Sequence, residues 1–306
     1  MPAPAAGGPL AALSLVFNAF VWGTSWWVFR ELSGRGVHPL WATGIIFTLA
    51  SLVIIAARPR ALGQLATTPA LWVLVVAAGT TNAAFNWAVV IGDVVRVVLL
   101  FYLMPLWTVL LARILLGERL TATALLRVAL ALVGAAIVLW PEAPAAAPSS
   151  LPGRSLVAPG GLADWLGVLG GLSFALNTVM VRREAHRPEE GRALAMFVGG
   201  ALVATALAAG LGWRGMAPWP PVVTSAWLLP MLALTVFFLA GNLAMQYGAA
   251  RLPANRTAVI MLTEIVFASV SAIVLGGGSL TPRLVLGGGL IVAGALLAAW
   301  QPRAAG

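Results

Sequence analysis

Residues 96–116 read RVVLLFYLMPLWTVLLARILL. Only Arg96 and Arg113 carry charge, and between them the stretch is apolar apart from the hydroxyls of Tyr102 and Thr108. A helix needs about 20 mostly apolar residues to cross the hydrocarbon core of a bilayer. This stretch meets that length. A membrane β-strand would instead show about ten residues of alternating character, and no alternation is present. Nine further stretches read the same way: 10–30, 38–57, 70–92, 123–140, 163–182, 193–213, 226–247, 256–275 and 283–300. The expected fold is an all-α integral membrane protein with ten transmembrane helices. Charges and breakers punctuate the spans, among them Arg58-Pro59-Arg60, Gly92-Asp93, Gly117-Glu118-Arg119, Arg182-Arg183, Arg251-Leu252-Pro253 and Gly276-Gly277-Gly278. Thr43, Gly44, Thr48 and Ser51 interrupt the second span. Such small and hydroxylated residues suit close helix packing in lipid.

Composition points the same way. Of 306 residues 61% are hydrophobic and 9% charged, where an ordinary soluble domain has roughly 25% charged. A water-soluble enzyme, a disordered chain and a disulfide scaffold are excluded. Cysteine is absent, so there is no thiolate metal site and no cysteine nucleophile. All 18 basic residues are arginine and the net charge is +9. They stand singly or in pairs between apolar runs, which reads as an arginine collar at the membrane surface, not as a nucleic-acid footprint. The first span has no basic n-region and runs too long for a cleaved signal peptide. Placing the N-terminus on side one puts 12 arginines there and 6 on side two. The positive-inside rule then makes both termini cytoplasmic. The Pro/Ala/Ser-rich residues 141–161 read as a flexible external linker.

The two halves resemble each other. Leu120-Thr121, Gly134 and Trp140 recur 160 residues later as Leu280-Thr281, Gly294 and Trp300, and Arg96 recurs as Arg256. Asn86, Ala88 and Gly92 recur at a spacing of 156, and Leu10, Trp22 and Arg30 find Leu162, Phe174 and Arg182 at 152. Five spans per copy is odd, so the second copy lies inverted. The expected organisation is a five-helix repeat over 1–140, the linker, and a second five-helix repeat over 162–306. Inverted repeats mark secondary transporters, with the substrate between the halves near the midplane.

Polar side chains inside spans are costly in lipid and mark function or interhelical bonding. Glu264 falls near the middle of the ninth span and is the one acid near a span centre. It suits a substrate ammonium, a proton, or a bond across the bundle. Asn18, Trp22, Ser25 and Trp26 share one helix face. Asn82, Phe85 and Asn86 share a face of the third span. Ser173, Phe174, Asn177 and Thr178 mark the sixth, and Asn242 with Gln246 the eighth. Most of the 13 tryptophans lie near span ends, as an interfacial belt requires, whereas Trp22, Trp87 and Trp107 lie well inside. Tyr102 brings a hydroxyl to membrane depth and needs a partner. Pro105 frees a carbonyl one turn earlier and kinks the fourth helix, a hinge position.

Enzyme chemistry has little support. His38 and His186 are the only histidines and lie in loops without ligand spacing. No facing carboxylates and no GxxxxGK[ST] loop occur. Gly199-Gly200 and Gly287-Gly288-Gly289 read as helix-packing sites.

Phe20-Val21-Trp22-Gly23-Thr24-Ser25 resembles the first-helix signature of EamA-type members of the drug/metabolite transporter superfamily. Leu115-Leu116-Gly117-Glu118-Arg119-Leu120 is similar to their end-of-fourth-helix motif, and 131–135 with its copy 291–295 to their glycine-containing fifth helix. Residues 261–267 are similar to the ninth-helix segment, with Ile265 replacing a frequent proline. The second end-of-helix motif is reduced to Leu275-Gly276-Gly277-Gly278. Within the superfamily the chain looks most like YddG-like bacterial exporters of aromatic amino acids. That resemblance implies a central cavity lined by Trp22, Tyr102 and Phe174, with Asn82 and Phe85 in the matching part of the third helix.

The resulting expectation is an inner-membrane exporter of amino acids, aromatic and other apolar ones favoured, working by alternating access. Glu264, Asn82, Asn177 and Asn242 would supply polar contacts. Trp22, Tyr102 and Phe174 would hold the side chain, Phe85 is a further substrate-binding candidate, and Pro105 would act as hinge. The alternatives are efflux of drug-like cations or other metabolites, and a membrane scaffold or enzyme without transport. No cofactor or metal, no nucleic acid and no obligate protein partner is expected; the partners are a small-molecule substrate and the lipid bilayer.

Overall fold

The computed structural model describes residues 8–117, 122–139, 161–184, 186–249, 251–252 and 260–299. Among these residues there is no strand. The helices are α1 (Gly8–Gly34), α2 (Pro39–Ala57), α3 (Arg60–Thr67), α4 (Pro69–Ile91), α5 (Val94–Phe101), α6 (Met104–Leu116), α7 (Ala122–Leu139), α8 (Leu162–Arg183), α9 (Glu189–Trp213), α10 (Ser225–Ala249), α11 (Thr263–Val274) and α12 (Pro282–Ala299). Residues 141–160 of the expected linker, the Glu118-Arg119-Leu120 part of the motif, Arg256 and the end of the chain from Trp300 lie outside the described residues.

Seven apolar stretches are helical and long enough to cross a membrane, one of them Val94–Leu116, which joins α5 and α6. Three shorter apolar helices lie at 128–138, 263–274 and 282–294. Each expected span overlaps a helix, seven of them long and apolar enough to cross, and two further features depart from the expectation. Residues 60–67, left between the expected second and third spans after the break at Arg58-Pro59-Arg60, form the short helix α3. It has only eight residues, too few to span, and its Ala61 and Leu65 are buried. The fourth span does not merely kink. It breaks at Tyr102-Leu103, and Pro105 sits in the first turn of the new helix α6, where its missing N–H costs nothing.

α5 is buried all round, from Val94 through Phe101 apart from Arg96. The outer surface of the bundle is apolar too, with Leu13, Ile114, Val133, Phe237, Val270 and Leu286 exposed. In lipid such exposure costs nothing, and close packing must hold the helices together. Small residues supply it. A Cβ on Gly79 of α4 would stand 2.3 Å from the Gly199 carbonyl of α9, and one on Gly134 of α7 would stand 2.5 Å from the Gly287 carbonyl of α12. Gly200 lies against the Phe47 ring and Gly288 against Leu99, so these glycines serve packing. α4 packs on α8 and α9, α1 on α10 and α11, α2 on α9, α7 on α12, and α5 with α6 on α8.

Candidate functional site

Two interrupted helices meet inside the bundle. The first interruption is Tyr102-Leu103, between α5 and α6. The second is Leu262, a turn between helical Ile260-Met261 and α11. α6 begins after Leu103 and ends at the left-handed cap Gly117 (φ 69°); α11 begins after Leu262 and is followed by Gly276 (φ 70°). Both start and cap are 159 residues apart, so the broken helix occurs once in each half at the same place. The positive φ explains why glycine persists at the second cap although the rest of that motif has gone.

The Tyr102 hydroxyl bridges the two breaks. It lies 3.3 Å from Glu264 Oε2 and 3.5 Å from the Met261 carbonyl oxygen, so the carboxylate is the nearer acceptor. Glu264 is not in mid-helix, as its place in the ninth span suggests, but in the first turn of α11. A helix N-terminus favours a carboxylate there. Close approach of α1 fixes the position: a Cβ on Gly23 would stand 2.8 Å from the Glu264 carbonyl oxygen and 2.8 Å from Phe267 Cβ.

Aromatic rings gather beside this pair. Phe101 is 4.9 Å from Phe85, 5.5 Å from Phe174 and 6.1 Å from Tyr102, centroid to centroid. α8 reaches them because Gly171 lets it close on the chain at Phe101, where a Cβ would stand 2.4 Å from the carbonyl oxygen. Phe101 is thus the hub of the group, and sequence reasoning missed it. Its only signal was its position immediately before Tyr102.

The remaining expected site residues divide. Asn177, one turn beyond Phe174, is buried, and its Oδ1 has no hydrogen-bond partner among the described residues. Trp107 Nε1, in α6, is likewise buried without a partner among them. Trp22 does not join the Phe101 group but stacks on Phe238 of α10 at 4.5 Å and 16°. Its neighbours on the same face reach both sides of the Leu262 turn: Asn18 Nδ2 lies 3.6 Å from Met261 Sδ, and Trp26 Nε1 donates to Ser271 Oγ of α11 at 2.9 Å. Asn82 donates to Ala78 O in its own helix at 2.8 Å, and Asn242 Oδ1 accepts from Gln246 Nε2 at 2.7 Å. Neither bond ties one helix to another. Asn86 does so, donating to Thr43 Oγ1 of α2 at 3.1 Å. His38 caps α2, its Nδ1 accepting from Leu40 N at 3.3 Å, and its ring meets Trp87 edge-on. Burial pushes the His38 imidazole below its ordinary value, which keeps it neutral and able to accept. No group of three or more potential metal ligands occurs among the described residues.

The arrangement combines a carboxylate, a hydroxyl and aromatic faces where two helices are broken. Such groups can hold a small molecule that has a cationic head and an apolar body.

The model of the EamA-like transporter family matches residues 9–140 and 161–300 of this chain. A comparison with curated proteins gives no match. Fifteen chains of solved structures match. One of them, described only as the crystal structure of a protein, is 23% identical with a TM-score of 0.53 over 95% of this chain and 96% of that one. At that identity the likeness shows the fold alone.

Proposed function

The chain belongs to the EamA-like transporter family, and from that premise we propose that it exports amino acids, aromatic and other apolar ones, across a bacterial inner membrane by alternating access. The observation that carries this reading is the Tyr102–Glu264 contact between two helices broken at equivalent places of the two halves. Discontinuous helices in corresponding positions point to a transporter's binding site. In this reading Glu264 receives the substrate ammonium, Tyr102 holds the carboxylate of Glu264 in place, and Phe85, Phe101 and Phe174 enclose the side chain. Asn177 supplies an acceptor that has no partner among the described residues. Trp22, Asn82 and Asn242 are the remaining proposed contacts, and Pro105 sets the flexing point of the α5–α6 break.

Ten spans in two inverted five-helix repeats, 1–140 and 162–306, with both termini cytoplasmic, complete the proposal. Helix packing supports the repeats. Exchanging the halves turns α1 on α10 into α8 on α4, turns α1 on α11 into α8 on α5 and α6, and returns α2 on α9 and α7 on α12 to themselves.

A second reading, efflux of organic cations, draws on the same carboxylate beside aromatic rings. Proteoliposomes loaded with unlabelled L-phenylalanine distinguish the two. Uptake of labelled L-phenylalanine by counterflow supports amino acid export. Counterflow of a quaternary ammonium without that of phenylalanine would favour cation efflux.

A further inference from the structure

Several ties fasten the bundle at the end where α4 finishes and α5 and α8 begin. Arg96, in the first turn of α5, makes a two-pronged pair with Asp164 in the first turn of α8: Nε to Oδ1 at 2.8 Å and Nη2 to Oδ2 at 2.9 Å. The pair is shielded, with 18% of the Arg96 side chain and 4% of the Asp164 side chain exposed. Asp93 caps α5 by accepting from Arg96 N at 3.0 Å, and its other oxygen accepts from Ser279 N, in the turn between α11 and α12, at 3.0 Å. Val94 N donates to the Gly277 carbonyl of the same turn at 3.1 Å. Arg30 of α1 reaches the carbonyls of Val89 and Gly92 at the end of α4. One helix of the first half is therefore fastened at a single end to two places in the second.

Repeat symmetry does not reproduce the pair at the other end. The spacing of 160 gives Arg96 a counterpart in Arg256, but the spacing of 152 that relates α1 to α8 puts Ala12 where Asp164 stands. A lock built on this acid is one-sided by sequence.

The physics of the pair suits a lock that opens. Removing two charges from water costs about what their attraction returns, so parting both into water costs little. The guanidinium–carboxylate fork still specifies one closed geometry. We propose that Arg96–Asp164, with the Asp93 cap, is a gate that closes this face of the transporter in the conformation described and admits water between α5 and α8 when it parts. The inference rests on the alternating-access reading above.

The chain has no cysteine, so an introduced thiol is the only one. Gly167 lies one turn along α8 from Asp164, where a Cβ would stand 3.2 Å from the Val97 carbonyl oxygen and 3.4 Å from Leu100 Cβ of α5. The test is the rate at which Gly167→Cys, in the full chain in proteoliposomes, reacts with a membrane-impermeant maleimide. With the pair intact the reaction is slow. Asp164→Asn should accelerate it at least about tenfold by shifting the population toward the open face. Exchanging the charges, Arg96→Asp with Asp164→Arg, should return it to within about threefold of the intact rate. Arg96→Gln replaces Asp164→Asn if that variant accumulates poorly. A purely structural pair would lower thermal stability and leave the labelling rate of the folded protein unchanged, which overturns the gate. Acceleration that the charge exchange does not reverse overturns it too. The rate needs no substrate, so failure of amino acid flux tells against the transport reading while the labelling decides the gate.

Discussion

Tyr102 and Glu264 come from opposite halves of the chain, 162 residues apart, and meet with hydroxyl and carboxylate 3.3 Å apart at the two places where a helix is interrupted. The contact joins the break that follows α5 to the first turn of α11. In a low-dielectric interior an unpaired carboxylate is costly, so the tyrosine both satisfies Glu264 and orients it.

Tyr102→Phe should keep the fold and remove this bond. A hydrogen bond of this kind contributes about 0.5–1.5 kcal/mol, so L-phenylalanine affinity should fall roughly 2- to 12-fold. Equilibrium binding to the purified protein in detergent measures it. Unchanged affinity would show that the hydroxyl does not position the carboxylate for substrate.

Gly23→Ala tests how closely α1 must approach Glu264. The added methyl would lie 2.8 Å from the Glu264 carbonyl oxygen and from Phe267 Cβ. Overpacking of this kind costs about 1–3 kcal/mol. The melting temperature in detergent should drop and binding should weaken with it. Gly289→Ala, which meets nothing within 4 Å, is the control and should leave both unchanged.

The limits of the sequence are physical. Helix positions were legible because lipid demands long apolar runs, and Pro105 announced a kink in the fourth helix where the chain in fact breaks one turn earlier, at Tyr102-Leu103. The Leu262 break has no proline to announce it, since Ile265 stands where one is frequent. Glu264 stood out as an acid among apolar residues, yet nothing in its neighbours placed it in a first turn. Phe101 was one apolar residue among many, and its place as hub depends on Gly171 letting α8 close on it. Asp93 and Asp164 sit at span ends, where a charge is cheap and unremarked. Only the folded chain shows Asp164 buried against Arg96.

His38 predicts a pH dependence. Burial lowers its pKa in the folded chain below the ordinary 6.5, so as pH falls through 6.5 the unfolded chain takes up a proton that the folded chain does not. Its contribution to stability is therefore complete above about pH 7 and declines as pH falls below 6.5. His38→Asn keeps a side-chain acceptor at the cap and should flatten the fall in melting temperature between pH 7.5 and about 5.5. An unchanged pH profile in the variant would assign the effect to another group.

Ten spans require the two termini on one side and residues 141–161 on the other. Reporter fusions after Gly306 and within 144–151 should therefore give opposite activities. Identical reporters at both places would contradict the inverted arrangement of the halves.

The central claim is that substrate meets Glu264 between the two interrupted helices. Its most direct test is counterflow of labelled L-phenylalanine in proteoliposomes containing the native chain or Glu264→Gln, with equal folded protein in each. The account predicts saturable counterflow in the native chain, reduced at least about tenfold by the substitution because the ammonium loses its charged partner. Native counterflow that survives Glu264→Gln undiminished would contradict it.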